Sequence, residues 1–238
     1  MVTEFMPPVV VLAGGLGTRL YPETRNLPKS LIEVAGRPFI THQLELFARR
    51  GIRRAVYCVG YLGEQIQAFV GDGDRFGIAV EFLHDGDRLR GTGGAVLRAL
   101  PSLGGEFFVT YGDSYLDIPY EPVARAFRAV RLPALMTVYR NEGAWDTSNV
   151  EFSDGKIVTY SKTALTRRMH YIDFGLLAMR PDAFDAWHDE ESFDLAAVLE
   201  SLVGAGRVGG FETMQRFYEI GSRAGIADLE THLARRLA

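Results

Sequence analysis

One cysteine, Cys58, is all the chain has in 238 residues. An internal disulfide is therefore excluded, and the core alone must hold the fold. Cys58 lies inside the apolar run Ala55 to Val59, where it reads as a small buried hydrophobe in a reducing compartment. The start, M1-V-T-E-F-M6, lacks the basic residues and apolar run of a secretory leader. No apolar run approaches the roughly 20 residues that cross a bilayer. A cytoplasmic location and no membrane partner are expected. Neither sign of charge is in excess: 26 Lys and Arg face 30 Asp and Glu, a net charge of -4. That excludes the basic footprint of a nucleic-acid binder. The five histidines, His42, His84, His170, His188 and His232, have no metal-ligand spacing. There is no G-x-S-x-G elbow, no internal repeat and no Pro- or Ser-rich linker.

What is present is an ordinary globular composition, 47% hydrophobic and 24% charged, enough for a large core without staples. Its most informative stretch is V9-V-V-L-A-G-G-L-G-T-R-L-Y-P22, continued by P28-K-S-L31. Val9 to Leu12 reads as a buried strand. It runs into Gly14, Gly15 and Gly17, which permit a tight turn and close approach to a ligand. Amides freed at such a turn form a concave anion site, and Arg19 and Lys29 add positive charge. Leu12, Ala13, Gly14, Gly15, Gly17 and Thr18 are thus read as a triphosphate cradle. A Walker A loop is absent. The dinucleotide fingerprint fails too, with Leu20 where a third glycine is needed and Gly60-Tyr61 where an acidic residue should end the second strand.

Downstream, Leu31 to Val34 reads as extended, closed by Ala35-Gly36. A helix starts near Pro38 with Ile40, Leu44 and Phe47 on one face, ended by Gly51. Strand Ala55 to Val59 and helix Gly63 to Val70 follow. Ile78, Val80 and Phe82 alternate as a third strand. Thr92 is the expected N-cap of a helix through Leu100 that Pro101 stops. Phe107 to Thr110 is the fourth strand. This alternation predicts a parallel sheet with helices on both faces. Later come a helix from Pro122 to Val130 and a strand from Leu135 to Arg140. Asp154-Gly155 marks a hairpin between Val150–Phe152 and Ile157–Tyr160. Beyond lie a strand from Ile172 to Met179, helices near Pro181–Trp187 and Leu195–Val203, a strand Phe217–Ile220, and a helix capped by Ser222. Asp113, after Gly112 at the C-terminal end of the fourth strand, stands where open α/β sheets bind ligands.

These motifs closely resemble the signature of the sugar-1-phosphate nucleotidyltransferases, with Ser30 where proline is usual. V59-G-Y-L-G-E-Q-I66, G91-T-G-G94 and T110-Y-G-D113 resemble further family segments in family order. Segments are similar to heptose-1-phosphate guanylyltransferases, glucose-1-phosphate cytidylyltransferases and muramate-1-phosphate uridylyltransferases. The resemblance implies one α/β domain over 1–238. It would be Rossmann-like and three-layered, with a mixed, mostly parallel central sheet and a small β-hairpin lining the sugar site. Residues from about 1 to 115 would bind nucleotide, and those from about 116 to 238 the sugar phosphate.

It also implies chemistry. A sugar 1-phosphate would attack the α-phosphorus of a nucleoside triphosphate, releasing pyrophosphate. Arg19, Lys29 and Asp113 would be catalytic, and Gly91, Thr92, Gly93 and Gly94 would admit base and ribose. Asp113 and Glu219 (usually an aspartate) would hold Mg²⁺. Ser148, Asn149, Lys162, Asp173 and Gly175 would line the sugar-phosphate site. Ser148 stands where glycine is frequent, Ser161-Lys162 where Glu-Lys is frequent, and Asp173 where asparagine or threonine is common. Arg88 replaces a frequent glutamate. A homodimer is kept as an assembly to test. Two rival readings remain. One is a cytidylyltransferase acting on a phosphocholine-like or phosphonate substrate, with Trp145, Tyr160 and Tyr171 around a cation. The other is a non-catalytic nucleotide-binding regulator.

Overall fold

The computed structural model describes residues 6–86 and 89–237, with the side chain of Leu237 set aside. The five N-terminal residues read above for a leader, and Arg88, lie outside the described residues. In chain order the strands are β1 (Val9–Ala13), β2 (Glu33–Val34), β3 (Arg37–Pro38), β4 (Arg54–Val59), β5 (Ala79–His84), β6 (Phe107–Tyr111), β7 (Ser114–Tyr115), β8 (Ala134–Arg140), β9 (Val150–Ser153), β10 (Lys156–Tyr160), β11 (Tyr171–Met179), β12 (Val208–Thr213) and β13 (Tyr218–Glu219). The α-helices are α1 (Phe39–Arg49), α2 (Gly63–Val70), α3 (Gly91–Leu103), α4 (Tyr120–Val130), α5 (Leu195–Gly204) and α6 (Arg223–Leu237).

The chain groups into two compact units. Among the described residues, one comprises 8–86, 89, 110–117 and 217–237, and the other 6–7, 90–109 and 118–216. The chain crosses over so that Asp113 and Glu219 fall in the same unit.

In the first unit β1 pairs in parallel with β4, and β4 with β5. Val9, Val10, Val11, Val56 and Val59 are fully buried, which is why this run of β-branched residues is strand rather than helix. Ile40, Leu44 and Phe47 form the buried face of α1, each stabilising by about 1.5–3 kcal/mol. Gly51, at φ 85°, ends that helix. A second apolar cluster joins Val34, Phe39, Leu46, Tyr115, Ile220 and Leu229, with Tyr218, Ile226 and Leu233 packed on it. It fixes β7, β13 and α6 against α1.

In the second unit the sheet is mixed. β11 is antiparallel to β6, β8 and β9, β10 is antiparallel to β9 and β12, and β12 is parallel to β8. A mixed sheet was expected, and the parallel pattern read from the alternation of the first half is seen in the β1–β4–β5 pairing of the first unit. The Asp154-Gly155 hairpin is present, with φ 50° and 74°, the two positive angles a tight hairpin turn takes.

Three local expectations need correction. β12 was not foreseen, because Gly209-Gly210 breaks its apolar alternation. Gly210 is there for room: a Cβ would lie 2.4 Å from a ring carbon of Phe152. Helix α3 begins at Gly91 after Arg90 and carries Pro101 inside its last turn. Thr92 is therefore within the helix and not its cap. Pro101 withholds one amide so close to the end that the helix runs on to Leu103. Finally, Pro181–Trp187 is a 3₁₀ segment rather than an α-helix.

Candidate active site

The loop after β1 is held by its own short 3₁₀ turns, Thr18–Leu20, Glu23–Arg25 and Lys29–Leu31. Gly17 precedes the first at φ 63°, and its carbonyl accepts the Thr24 hydroxyl at 2.8 Å. Gly14 and Gly60 pass each other where β1 and β4 end: a Cβ on Gly60 would lie 2.9 Å from the Gly14 carbonyl. Gly15 differs, because a Cβ there would meet nothing within 4 Å. Leu12 and Ala13 end the buried strand, while Thr18 and Arg19 are exposed.

At the next chain crossing, the Gly112 amide donates to the Leu12 carbonyl at 2.9 Å. A Cβ on Gly112 would sit 2.7 Å from that of Ala13, so only glycine fits. This crossing delivers Asp113 to the loop. Lys29 Nζ lies 2.5 Å from Asp113 Oδ2. The neighbouring Ser30, buried, donates from Oγ to the Gly112 carbonyl at 3.0 Å. Serine in place of the family's usual proline thus ties the lysine turn to the aspartate turn.

Glu219 arrives through β13, which pairs antiparallel with β7 so that Glu219 faces Ser114. The Ile220 amide donates to the Asp113 carbonyl at 2.9 Å. A Cβ on Gly221 would lie 3.3 Å from Glu219 Oε1 and 3.4 Å from Arg19 Nη2. Arg19, Lys29, Asp113 and Glu219 therefore converge in one unit. Mg²⁺ needs only one or two carboxylates beside phosphate oxygens and water, and the Asp113–Glu219 pair fits that donor set. Among the described residues, no group of three or more His, Cys, Asp or Glu could hold a metal by itself.

The remaining predicted residues lie in the other unit. The Gly93 and Gly94 amides donate to the Phe193 carbonyl at 2.9 and 3.3 Å, so two of the free amides in the first turn of α3 are satisfied within the chain. A Cβ on Gly91 would come within 2.4 Å of that carbonyl, and one on Gly93 within 2.4 Å of the Phe193 ring. The Thr92 hydroxyl donates to Asp194 at 3.0 Å and accepts the Leu195 amide at 2.8 Å. It serves the start of α5.

Asn149 Oδ1 accepts the Asp173 amide at 2.9 Å, and Asp173 Oδ1 the Gly175 amide at 3.0 Å. The β11–β8 ladder shifts register between Asp173 and Leu177, and Gly175 takes φ 94°. Burial pushes the Asp173 carboxyl above the ordinary range, against the opposing pull of the Gly175 amide and the Lys162 charge. Lys162 Nζ is also 3.9 Å from Asp194. The Ser148 hydroxyl accepts from Asn141 and from the Gly143 amide, both at 3.1 Å.

Sequence reasoning missed two organising amides. Asn141, buried, braces the loop to Ser148. Gln43, fully buried, reaches the carbonyls flanking Asp113. A polar side chain on the inner face of a helix was the only sequence signal for Gln43. Nor do the aromatics proposed for a cation offer a free cage. The Arg216 guanidinium already covers Trp145 at 3.4 Å, Tyr171 stands edge-on to Phe152, and Tyr160 is buried.

Residues 8–152 match the family described as Nucleotidyl transferase. The chain belongs to that family. Its loop, Asp113 crossing and α3 start all fall within the matched span. It is 30% identical over 207 residues to a glucose-1-phosphate thymidylyltransferase of Streptomyces griseus, covering 83% of this chain and 58% of that protein. The chain thus spans little more than half the length of that relative. It is 28% identical over 235 residues to an N-acetylmuramate alpha-1-phosphate uridylyltransferase of Caulobacter vibrioides, covering 94% of this chain and 96% of the relative. HddC from Yersinia pseudotuberculosis shares the fold at a TM-score of 0.82 and 21% identity, covering 96% of this chain and all of that one. Among the described residues, no helix is long and apolar enough to cross a membrane.

Proposed function

We propose that this family member transfers a nucleoside monophosphate from a nucleoside triphosphate to a sugar 1-phosphate, releasing pyrophosphate. The convergence of Arg19, Lys29, Asp113 and Glu219 around two tight glycine crossings carries the reading. The relatives, named as thymidylyl- and uridylyltransferases of sugar 1-phosphates, support the substrate class.

Phosphoryl transfer asks a protein for position and charge more than for a covalent nucleophile. In this reading the amides of 13–18 cradle the triphosphate, and the open space at Gly15 is where phosphate lies against the backbone. Arg19, exposed beside the loop, neutralises the departing pyrophosphate. Lys29 pairs with Asp113 until a phosphate arrives, then shares its charge with the α-phosphate. Asp113 and Glu219 would hold Mg²⁺, which when bound neutralises phosphate charge. Asn149, Lys162 and Asp173 would orient the sugar phosphate. Gly91 to Gly94, though packed on Phe193, would leave one backbone edge for the base. The rest of the reading is a cytoplasmic, Rossmann-like enzyme.

The test is direct. Each nucleoside triphosphate is incubated with a panel of sugar 1-phosphates and Mg²⁺, and products are weighed by mass spectrometry. A nucleoside diphosphate sugar is expected for at least one pair. Failure to condense any pair, with the triphosphate bound, would favour the silent regulator.

A further inference from the structure

We infer that Gln43 is the positioning residue for Asp113, an inference that rests on the function just proposed. Gln43 has no exposed surface. Its Nε2 donates to the carbonyl of Tyr111 at 2.9 Å and to that of Ser114 at 2.8 Å. Its Oε1 accepts the Tyr57 hydroxyl at 2.9 Å, which fixes which end of the amide faces the turn. One side chain from α1 thus grips the backbone on both sides of Gly112-Asp113.

The rest of that turn is tied down from elsewhere. Gly112 donates to Leu12 and accepts from Ser30, and the Asp113 carbonyl accepts from Ile220. Strand β1, the Lys29 turn and the Glu219 strand therefore all bond to the turn that Gln43 spans. Rotating the peptide of Tyr111 or of Ser114 would break the hydrogen bond that its carbonyl accepts from Gln43. Two donors leave one nitrogen here, which a hydroxyl, with one, or an ionised carboxylate, with none, could not supply. Full burial of a glutamine is itself uncommon, and every polar atom of this one has a use. Asp113 must meet a metal with little tolerance for distortion, so misplacing it should slow turnover far more than it weakens nucleotide binding.

Gln43→Met keeps the volume and removes the donors, and Gln43→Glu keeps the acceptor for Tyr57 and removes them. Both variants are compared with wild type at temperatures where each is folded by circular dichroism. Pyrophosphate release gives kcat and KM, and electron paramagnetic resonance gives Mn²⁺ affinity. Gln43→Met should lose at least tenfold in kcat and severalfold in Mn²⁺ affinity, with KM for the triphosphate within about twofold. Gln43→Glu should recover part of its kcat as the pH falls and the new carboxyl gains a proton to donate. Unchanged kcat and Mn²⁺ affinity per folded molecule would reduce Gln43 to a packing residue. If wild type itself releases no pyrophosphate, the proposed reaction fails, and Mn²⁺ affinity alone decides on Gln43: a severalfold loss upholds it and no change overturns it.

Discussion

Lys29 and Asp113 hold each other at 2.5 Å, about three-quarters or more shielded from solvent, so each is already placed by the other. Glu219 reaches one methylene further than an aspartate would. Glu219→Gln should cost at least tenfold in kcat, because charge is lost. Glu219→Asp should cost less if the residue acts through a water, and comparably if it ligates directly. Steady-state kinetics over a Mg²⁺ titration reads both, and wild-type behaviour of Glu219→Gln would place the residue outside the metal site. Asp173 gives a different signature. Its carboxyl is raised by burial, so between the ordinary value near 4 and the raised one the native state binds more protons than the unfolded chain. Stability must fall as pH rises through that window. Asp173→Asn, which can still accept the Gly175 amide, should raise the melting temperature at neutral pH, and the gain should shrink on acidification. An equal gain at all pH values would contradict a buried charge.

At the scale of elements, α6 is anchored through Asp117, which Arg50 holds at 2.6 Å and which Arg236 and His232 of α6 also reach. Burial pushes the Asp117 carboxyl up, but the two arginines outweigh it and hold it below the ordinary range. Its stabilisation is therefore complete above an ordinary value near 4 and is lost as pH falls through the lowered one. Asp117→Asn should cost about 2 kcal/mol at neutral pH, and denaturant titrations at pH 7 and pH 3 should show the difference closing. Which elements could be read from sequence follows from how locally each is specified. Helix α2, the β9–β10 hairpin and the α1 face each carry their own period or turn. β12 does not, since its glycines answer to Phe152, and Thr92 looked like a cap because its partner Asp194 lies far along the chain. The same holds in the site. Arg19, Lys29 and Asp113 were legible in a motif, but Gln43 was not, since its purpose is two carbonyls reached only after folding.

For the whole molecule, the crossover of the chain matters most. The segment 217–237 returns to the unit that holds the first strand, and this brings Glu219 beside Ser114 from more than a hundred residues away. Family membership rests on residues 8–152, whereas Glu219 lies beyond them and depends on that return. Asp113, presented at the Gly112 crossing, is proposed to drive transfer from triphosphate to sugar 1-phosphate. The most direct measurement is continuous pyrophosphate release by wild type and Asp113→Asn, with and without the sugar 1-phosphate, at matched folded fraction. Wild type should release pyrophosphate only when both substrates are present, and the variant should lose at least a hundredfold in rate. Release without the sugar phosphate, or near-normal turnover by Asp113→Asn, would contradict it.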